Sequence, residues 1–245
     1  MRLRIDLHAE ASCSQRHLLS KYPISMNSYI YNILSKSEKF KGLHDKKRIK
    51  GFSFSNIHPI RDSQVKEKSH YKILISSPKP SIIETLFFGI QTESKFELGD
   101  ASFTITSLSV EKWKLSNNDI LETPVFLNVT KQDDGKIKPL LFNRERDEYL
   151  IQLQKNLLHK HNELTEEQVE IENLFQNVEI DHIGEKKEFA LPIDFDTGRF
   201  TVIGNKLYFK FRDISDEQLK VFQTCFDAGF GERSSFGFGF MVKRK

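Results

Sequence analysis

The sequence is poor in the residues that build covalent or metal-based frameworks. Its 245 residues include two cysteines, Cys13 and Cys225, and one tryptophan. Two distant cysteines exclude a disulfide framework and a cysteine-rich metal centre. The eight histidines are scattered, and the sequence has no His-x-x-x-His pair, no Cys-x-x-Cys pair and no tight cluster of carboxylates. We therefore expect no metal site and no cofactor, so that any catalysis relies on side chains alone.

Long apolar runs and a strong net charge are also missing. No apolar stretch approaches the length that spans a bilayer, and the N-terminus shows no signal-peptide pattern. With 38% hydrophobic and 29% charged residues, the composition is typical of a globular cytoplasmic protein without membrane contact. The net charge of +3 is too small to indicate nucleic-acid binding by itself, but residues 36–50 hold seven basic and two acidic side chains.

The first 115 residues predict one unit of alternating strands and helices. Residues 1–8 alternate between apolar and polar, which predicts a half-buried strand with Arg2 and Arg4 on its polar face. A loop with His17 follows, and a helix is predicted from about Pro23. On that helix Tyr31 points away from the apolar stripe, so we expect it to be exposed or to face a cleft.

The remaining elements of this unit complete a familiar order. Strands are predicted at 51–57, 71–76 and 95–113, with a second helix after the prolines at 78 and 80. The order strand, helix, strand, strand, helix, strand is that of a ferredoxin-like (βαββαβ) domain, which we assign to residues 1–115.

Residues 122–245 predict a second, modified ferredoxin-like unit, so the fold class is α+β with two such domains in tandem. Strands are expected near 124–129, 178–183 and 188–193, and a helix near 144–159. His159 and His161 lie in a polar helical stretch and are expected to be solvated. Residues 200–202 and 207–211 read as a hairpin about a Gly204-Asn205 turn. Ser215 and Gln218 form a capping-box pattern for a last helix, which Gly229 would end.

A glycine-rich loop follows this last helix and leads into a predicted terminal strand from about residue 236. Two Gly-Phe-Gly units, 229–231 and 237–239, flank Arg233, Ser234 and Ser235. Glycine tolerates positive φ, and consecutive N–H groups in such a loop can bind an anion. The loop lacks the Gly-Lys-Ser/Thr ending of a P-loop and follows a helix instead of opening one. From composition alone, it is either a turn with core phenylalanines or a site for phosphate or an RNA backbone.

The loop resembles the C-terminal glycine-rich loop of the CRISPR-associated RNA-binding superfamily, and most closely that of the Cas-six endoribonucleases. A second set of motifs agrees with this resemblance, because Ile30-Tyr31, Leu43-His44 and the run from Lys50 to Ser55 occur in the order typical of these enzymes. The resemblance is strong over residues 1–57 and 215–245. It is only general over about 114–175.

The resemblance implies a metal-independent endoribonuclease that cleaves CRISPR precursor RNA within the repeat. The 2′-hydroxyl would attack the adjacent phosphorus and leave a 2′,3′-cyclic phosphate and a 5′-hydroxyl. Tyr31, His44 and Lys50 become the expected catalytic residues, with His17 as a substitute candidate. The resemblance does not divide the acid and base roles. The expected RNA-binding residues are Gly229, Gly231, Arg233, Ser234, Ser235, Gly237 and Gly239 in the loop, and Arg2, Arg4, Lys46, Lys47 and Arg48 in the first half.

Two alternatives remain open from the sequence. The chain could be a non-catalytic repeat-RNA-binding subunit of a CRISPR effector complex, which would keep the fold and the RNA partner. It could also be an unrelated α+β metabolic enzyme whose glycine loop holds a small phosphate ligand. Family members often pass the cut repeat to other CRISPR-associated effector proteins, and the chain is expected to be a monomer or a homodimer.

Overall fold

The computed structural model describes residues 1–43, 48–60, 64–98, 101–195 and 198–244, with side chains for all of these except 15–20 and 195. Within them the chain forms a mixed α+β fold with four α-helices and antiparallel sheets. None of the described helices is both long enough and apolar enough to cross a membrane.

The elements of the first half are β1 (Arg2–Ala9), β2 (Cys13–Ser14), α1 (Gln15–Ser35), β3 (Ser53–Phe54), β4 (Gln64–Val65), β5 (His70–Ser76), α2 (Pro80–Gln91), β6 (Lys95–Leu98) and β7 (Ala101–Glu111). Those of the second half are β8 (Ile120–Glu122), β9 (Val129–Asp133), β10 (Lys136–Leu140), α3 (Arg146–Thr165), β11 (Val178–His182), β12 (Phe189–Phe195), β13 (Gly198–Gly204), β14 (Leu207–Phe211), α4 (Asp216–Ala228) and β15 (Val242–Lys243).

The first half is built on a five-stranded antiparallel sheet in the order β3-β5-β1-β7-β6. The central strand β1 pairs with β5 in the register Leu3↔Ile75 and with β7 in the register Leu3↔Val110. Its apolar side chains are fully buried in a core that also contains the apolar residues of α1 and α2. The alternation in β1 is therefore the half-buried strand that the sequence predicts.

Helix α1 begins earlier than predicted. It starts at Gln15 and includes Pro23, so the backbone of His17 is helical instead of lying in a loop. Tyr22 explains the extra turns, because its ring is buried and its hydroxyl donates a hydrogen bond to the Ser55 carbonyl. Tertiary packing of this aromatic residue offsets the backbone N–H that proline lacks.

The second half contains a four-stranded antiparallel sheet in the order β11-β14-β8-β15 and two separate hairpins, β9–β10 and β12–β13. The helices α3 and α4 pack against this sheet in a second core. Helix α4 has the predicted capping box between Ser215 and Gln218, and Gly229 follows its last residue with φ of 87°. The terminal strand is shorter than predicted, because β15 comprises only Val242–Lys243.

The predicted hairpin around Gly204-Asn205 is not formed. β13 pairs with β12, whereas β14 pairs with β11 and β8. Asn205 is fully buried and exchanges two backbone hydrogen bonds with Leu127. A Cβ on Gly204 would lie 2.1 Å from the Leu127 oxygen. Glycine at 204 therefore allows the segment at Leu127 to pack closely against the chain. The chain passes at this point from the β12–β13 hairpin to the four-stranded sheet.

Arg2 joins the two halves. Its side chain is 0% exposed, and its guanidinium donates to the Phe226 carbonyl and lies 3.7 Å from an Asp227 oxygen. Cation–π contacts with Trp113, Phe226 and Phe240 surround it. The polar face of β1 is thus covered at its first residue by the C-terminal half, and Arg2 faces this junction instead of solvent.

Candidate active site

Tyr31 lies on the side of α1 that faces β3. Its ring packs edge-on against Phe52, with 5.6 Å between the ring centroids. Burial raises the pKa of the Tyr31 phenol to about 12, because removal from water disfavours the phenolate. The hydroxyl is therefore protonated at neutral pH.

The segment between α1 and β3 holds Lys50 against the residue that precedes His44. Phe40 and Leu43 are buried and anchor this segment on the first core. The Lys50 ammonium donates a hydrogen bond to the Leu43 carbonyl, with 2.8 Å between Nζ and the oxygen. His44 follows Leu43 in the sequence and lies outside the described residues.

Helix α3 of the second half supports the same segment. The backbone N–H of Ile49 donates to a carboxylate oxygen of Glu163 at 2.9 Å. A Cβ on Gly51 would lie 2.9 Å from a methyl carbon of Leu164. The last turn of α3 therefore contacts the chain on both sides of Lys50.

A cavity of about 350 Å³ lies beside Tyr31. One wall is formed by Phe40, Gly42 and Leu43. The other wall is the polar side of α1, formed by Asn27, Ser28, Tyr31, Asn32 and Ser35. Tyr31 thus faces a cleft, as its position off the apolar stripe predicts.

Asn27 connects this cavity to the glycine-rich loop. Its side-chain amide donates to the Ser235 carbonyl, with 2.7 Å between nitrogen and oxygen. Asn27 is buried and Ser235 is half-buried, so the bond is partly shielded from water. The sequence gives no sign of this role, because an asparagine on the polar side of a helix is usually solvated.

The glycine-rich loop, residues 229–239, is folded on itself and packed against β3. The Phe230 N–H donates to the Gly239 carbonyl, and the Gly239 N–H donates to Phe126. A Cβ on Gly239 would lie 1.8 Å from the Phe230 oxygen, and one on Gly237 would lie 2.6 Å from the Phe54 ring. Both glycines have positive φ, so side chains are disfavoured there by conformation as well as by space.

The exposed part of the loop is its polar insert. Arg233 is exposed, and Ser234 and Ser235 are half-buried in a short 3₁₀ turn. The guanidinium of Arg233 lies 5.0 Å from the centroid of the Phe200 ring on β13. The glycines at 229, 231, 237 and 239 are all buried. They therefore shape the loop, and the insert is the part that a ligand can contact.

Comparison with known proteins identifies the family. The model of the C-terminal part of CRISPR-associated protein Cas6 matches residues 110–243, more than half of the chain. The chain belongs to the Cas6 family. Cas6 is the Cas-six family whose motifs the sequence resembles.

Individual Cas6 proteins match along almost the whole chain. The CRISPR-associated endoribonuclease Cas6 of Haloferax mediterranei is 26% identical over 263 residues, which cover 98% of this chain and 92% of the relative. The endoribonuclease Cas6 2 of Methanocaldococcus jannaschii is 27% identical over 244 residues, covering 98% of each. A solved structure of a Cas6-related protein from Pyrococcus furiosus shares the fold, with a TM-score of 0.72, 20% identity and coverage of 100% of this chain and 98% of that one.

Lys160 is a residue of this Cas6 chain that the sequence did not single out. It lies on α3, is 4% exposed, and its ammonium donates to the carbonyls of Gly229 and Gly231 and to the Ser234 hydroxyl. A lysine in a polar helical segment reads as a solvated residue. The loop that buries it lies about 70 positions further along the chain.

The basic residues predicted to contact RNA fall into three groups. Arg48 is exposed, and Arg4 is 39% exposed and paired with Asp6 at 2.8 Å. Arg2 is buried at the junction of the halves and faces no open surface. Lys46 and Lys47 lie outside the described residues.

One of the two histidines of α3, His161, differs from its prediction. His159 is exposed, as expected. His161 is 2% exposed, and its Nδ1 lies 3.0 Å from the Thr224 hydroxyl on α4, so helix packing shields it from solvent. Within the described part of the chain, no three His, Cys, Asp or Glu side chains are grouped so that they could hold a metal ion.

Proposed function

We propose that this Cas6-family chain is an endoribonuclease that cleaves CRISPR precursor RNA within the repeat without a metal ion. The observation that carries the proposal is a single cavity lined by Tyr31 and by Leu43, whose carbonyl accepts a hydrogen bond from the Lys50 ammonium. His44 is the next residue after Leu43 in the sequence. Asn27 adds the glycine-rich loop as a neighbour.

RNA supplies its own nucleophile for this reaction. The 2′-hydroxyl attacks the adjacent phosphorus in line with the leaving 5′-oxygen, the P–O5′ bond breaks, and the products are a 2′,3′-cyclic phosphate and a 5′-hydroxyl. The protein removes the hydroxyl proton, protonates the 5′-oxygen and stabilises the charge on the phosphoryl oxygens. His44 carries a proton transfer, because an imidazole with a pKa near 6.5 exchanges protons at neutral pH.

The environment of Tyr31 supports a donor role. A phenol whose pKa is about 12 is not an effective base at neutral pH. It donates a hydrogen bond that orients the ribose or a phosphoryl oxygen. The positive charge of Lys50 stabilises the pentacoordinate phosphorane, and its bond to Leu43 fixes the ammonium at the cavity wall.

Repeat RNA is the proposed partner, and the polar insert of the loop is its proposed contact. Arg233, Ser234 and Ser235 provide one cation and two hydroxyl groups on an accessible surface. The exposed Arg48 and Arg4 are candidates for phosphate contacts, which position an RNA without reading its sequence.

We also propose that both halves are ferredoxin-like, with boundaries at 1–115 and 122–245. In the first half β1, β3, β5 and β7, taken as strands one to four, lie in the spatial order 2-3-1-4, and in the second half β8, β11, β14 and β15 lie in the same order. That is the order of a βαββαβ sheet. The separate cores around residues 3–103 and 115–241 support these boundaries.

A cleavage assay in EDTA tests the proposal. Labelled repeat RNA is incubated with the wild-type protein, His44→Ala and Tyr31→Phe, beside His159→Ala and Tyr29→Phe as matched controls. His159 is exposed on α3, and the Tyr29 hydroxyl is committed to Glu93. We expect cleavage in EDTA, a loss of about 10²–10⁴-fold for His44→Ala and a smaller loss for Tyr31→Phe, and little change for the controls.

Two outcomes favour other functions. Tight binding of repeat RNA without any cleavage by the wild-type protein would favour a non-catalytic subunit of an effector complex. Equal affinity for repeat RNA and for unrelated RNA of the same length would count against repeat processing. Undiminished cleavage by His44→Ala would remove His44 from the mechanism.

A further inference from the structure

Lys160 is a buried cation whose partners all belong to the glycine-rich loop. Its Nζ lies 2.8 Å from the Gly229 carbonyl, 2.5 Å from the Gly231 carbonyl and 2.9 Å from the Ser234 hydroxyl. An ammonium has three N–H donors, so these bonds use all of them. Among the described residues, no carboxylate lies within ion-pair distance of it.

This arrangement costs stability, which argues for a role beyond packing. A buried charge without a counterion loses hydration that neutral acceptors restore only in part. The neighbours of Lys160 on α3 include Leu157 and Leu164, which are buried and apolar. An apolar residue at position 160 would avoid the cost, but it would leave two loop carbonyls without a donor.

The three bonds close the first part of the loop. Gly229 and Ser234 are five residues apart, yet a Cβ on Gly229 would lie 2.6 Å from the Ser234 Cβ. Lys160 binds both of these positions, and Asn27 of α1 binds Ser235. The polar insert is therefore fixed before any ligand binds.

The bond to Ser234 also determines what its hydroxyl can do. The Ser234 oxygen accepts a charge-assisted bond from the ammonium. Its own proton is then directed to another acceptor, and the nearby positive charge strengthens it as a donor. Ser234 is half-buried beside the exposed Arg233, where a phosphate oxygen is a suitable acceptor.

We propose that Lys160 is a positioning residue for RNA binding, which fixes the glycine-rich loop and turns the Ser234 hydroxyl toward a phosphate of the bound RNA. This inference rests on the proposed binding of repeat RNA by the loop.

The charge of Lys160 makes the proposal sensitive to pH. Burial lowers the pKa of its ammonium to about 8, whereas the carboxylate of Glu232 in the loop favours the charged form. Burial raises the pKa of the Cys225 thiol to about 12, so that group stays neutral across the range of interest. Lys160 is charged below its pKa and loses its proton above it, so RNA affinity should fall between pH 7 and pH 9.

The test measures the Kd of repeat RNA that carries a 2′-deoxy nucleotide at the cleavage site. The variants are Lys160→Met, Ser234→Ala and the double variant, with Lys155→Met as a control for loss of an exposed lysine from the same helix. We expect Lys160→Met to raise Kd about tenfold or more, since charge-assisted bonds are worth about 1.5–3 kcal/mol. Lys155→Met should stay within about twofold, and Ser234→Ala should add little to Lys160→Met.

A second readout separates positioning from a merely structural role. The wild-type Kd should rise from pH 7 to pH 9. The Kd of Lys160→Met should change much less over the same range. If Lys160→Met has the melting temperature of the wild-type protein and binds repeat RNA with an unchanged Kd, the inference about Lys160 is overturned, whereas the proposed function is not affected. If that variant does not fold, an unchanged Kd for Ser234→Ala or a pH-independent wild-type Kd would overturn it. A wild-type protein that does not prefer repeat RNA would contradict the proposed function instead.

Discussion

At the scale of single residues, Arg2 and Arg4 lie on the same face of β1 but have different surroundings. Arg4 is partly exposed and paired with Asp6, two positions away. Arg2 is fully buried among aromatic rings, and burial lowers the pKa of its guanidinium to about 10. Burial likewise raises the pKa of Asp227. An ion pair near Arg2 is thus strongly desolvated, whereas one at Arg4 is screened by water.

We predict that Arg2→Met and Arg4→Met differ sharply in stability. Arg2→Met should lower the free energy of unfolding by about 3 kcal/mol, because it leaves Asp227 with a single cationic partner, the N-terminal ammonium. Arg4→Met should cost less than about 1 kcal/mol. Urea denaturation of both variants checks this, and equal midpoints would contradict the role of Arg2 at the junction.

The sequence predicts the face of each arginine but not its burial. Alternation along β1 depends on neighbouring residues, and it correctly puts Arg2 and Arg4 opposite the leucines. The covering residues Trp113, Phe226 and Phe240 lie more than 100 positions away. Lys160 and Asn27 escape prediction for the same reason, since the loop that each one binds is distant in sequence.

At the scale of elements, the glycine-rich loop owes its shape to contacts that exclude side chains. Gly239 and Gly135 have nearly the same φ, 70° and 73°, but their surroundings differ. A Cβ on Gly239 would overlap the Phe230 oxygen, whereas none of the described atoms lies within 4 Å of a Cβ on Gly135. Comparing Gly135 with Gly239 therefore separates two contributions to the free energy of unfolding, the strain of a positive φ and the steric clash of a Cβ.

We predict that alanine substitution destabilises the protein more at Gly239 than at Gly135. Gly135→Ala should cost about 1 kcal/mol, the penalty for a side chain in the left-handed region. Gly239→Ala adds a clash with backbone and should cost about 3 kcal/mol or more. Thermal unfolding measures both, and similar melting temperatures would show that the loop accommodates a side chain and is not packed as described.

Local signals predict the ends of elements well where the chain itself provides the partner. The capping box of α4 is an example, and it is confirmed. The predicted start of α1 and the predicted Gly204-Asn205 hairpin were wrong because contacts with distant segments decide both regions. Tyr22 is bonded to the Ser55 carbonyl, and Asn205 is bonded to Leu127. Sequence patterns alone contain no information on such partners.

At the scale of the whole molecule, the second half supports the candidate site of the first half. Helix α3 bonds Ile49 through Glu163, contacts Gly51 through Leu164 and holds the loop through Lys160. The loop in turn packs on β3 and is bonded by Asn27 of α1. Motif order indicated that the two ends of the chain share a function. The contribution of α3 could not be predicted from the sequence, because this helix carries no recognisable motif.

In the proposed reaction the 2′-hydroxyl of the RNA is the nucleophile, and the chemical identity of the cleaved ends tests this directly. Repeat RNA is cut in EDTA, the products are analysed by mass, and a substrate with a single 2′-deoxy nucleotide at the cleavage site is run beside it. The proposed mechanism predicts a 2′,3′-cyclic phosphate, a 5′-hydroxyl and no cleavage of the deoxy substrate. A 5′-phosphate product, or cleavage of the deoxy substrate at the normal rate, would contradict it.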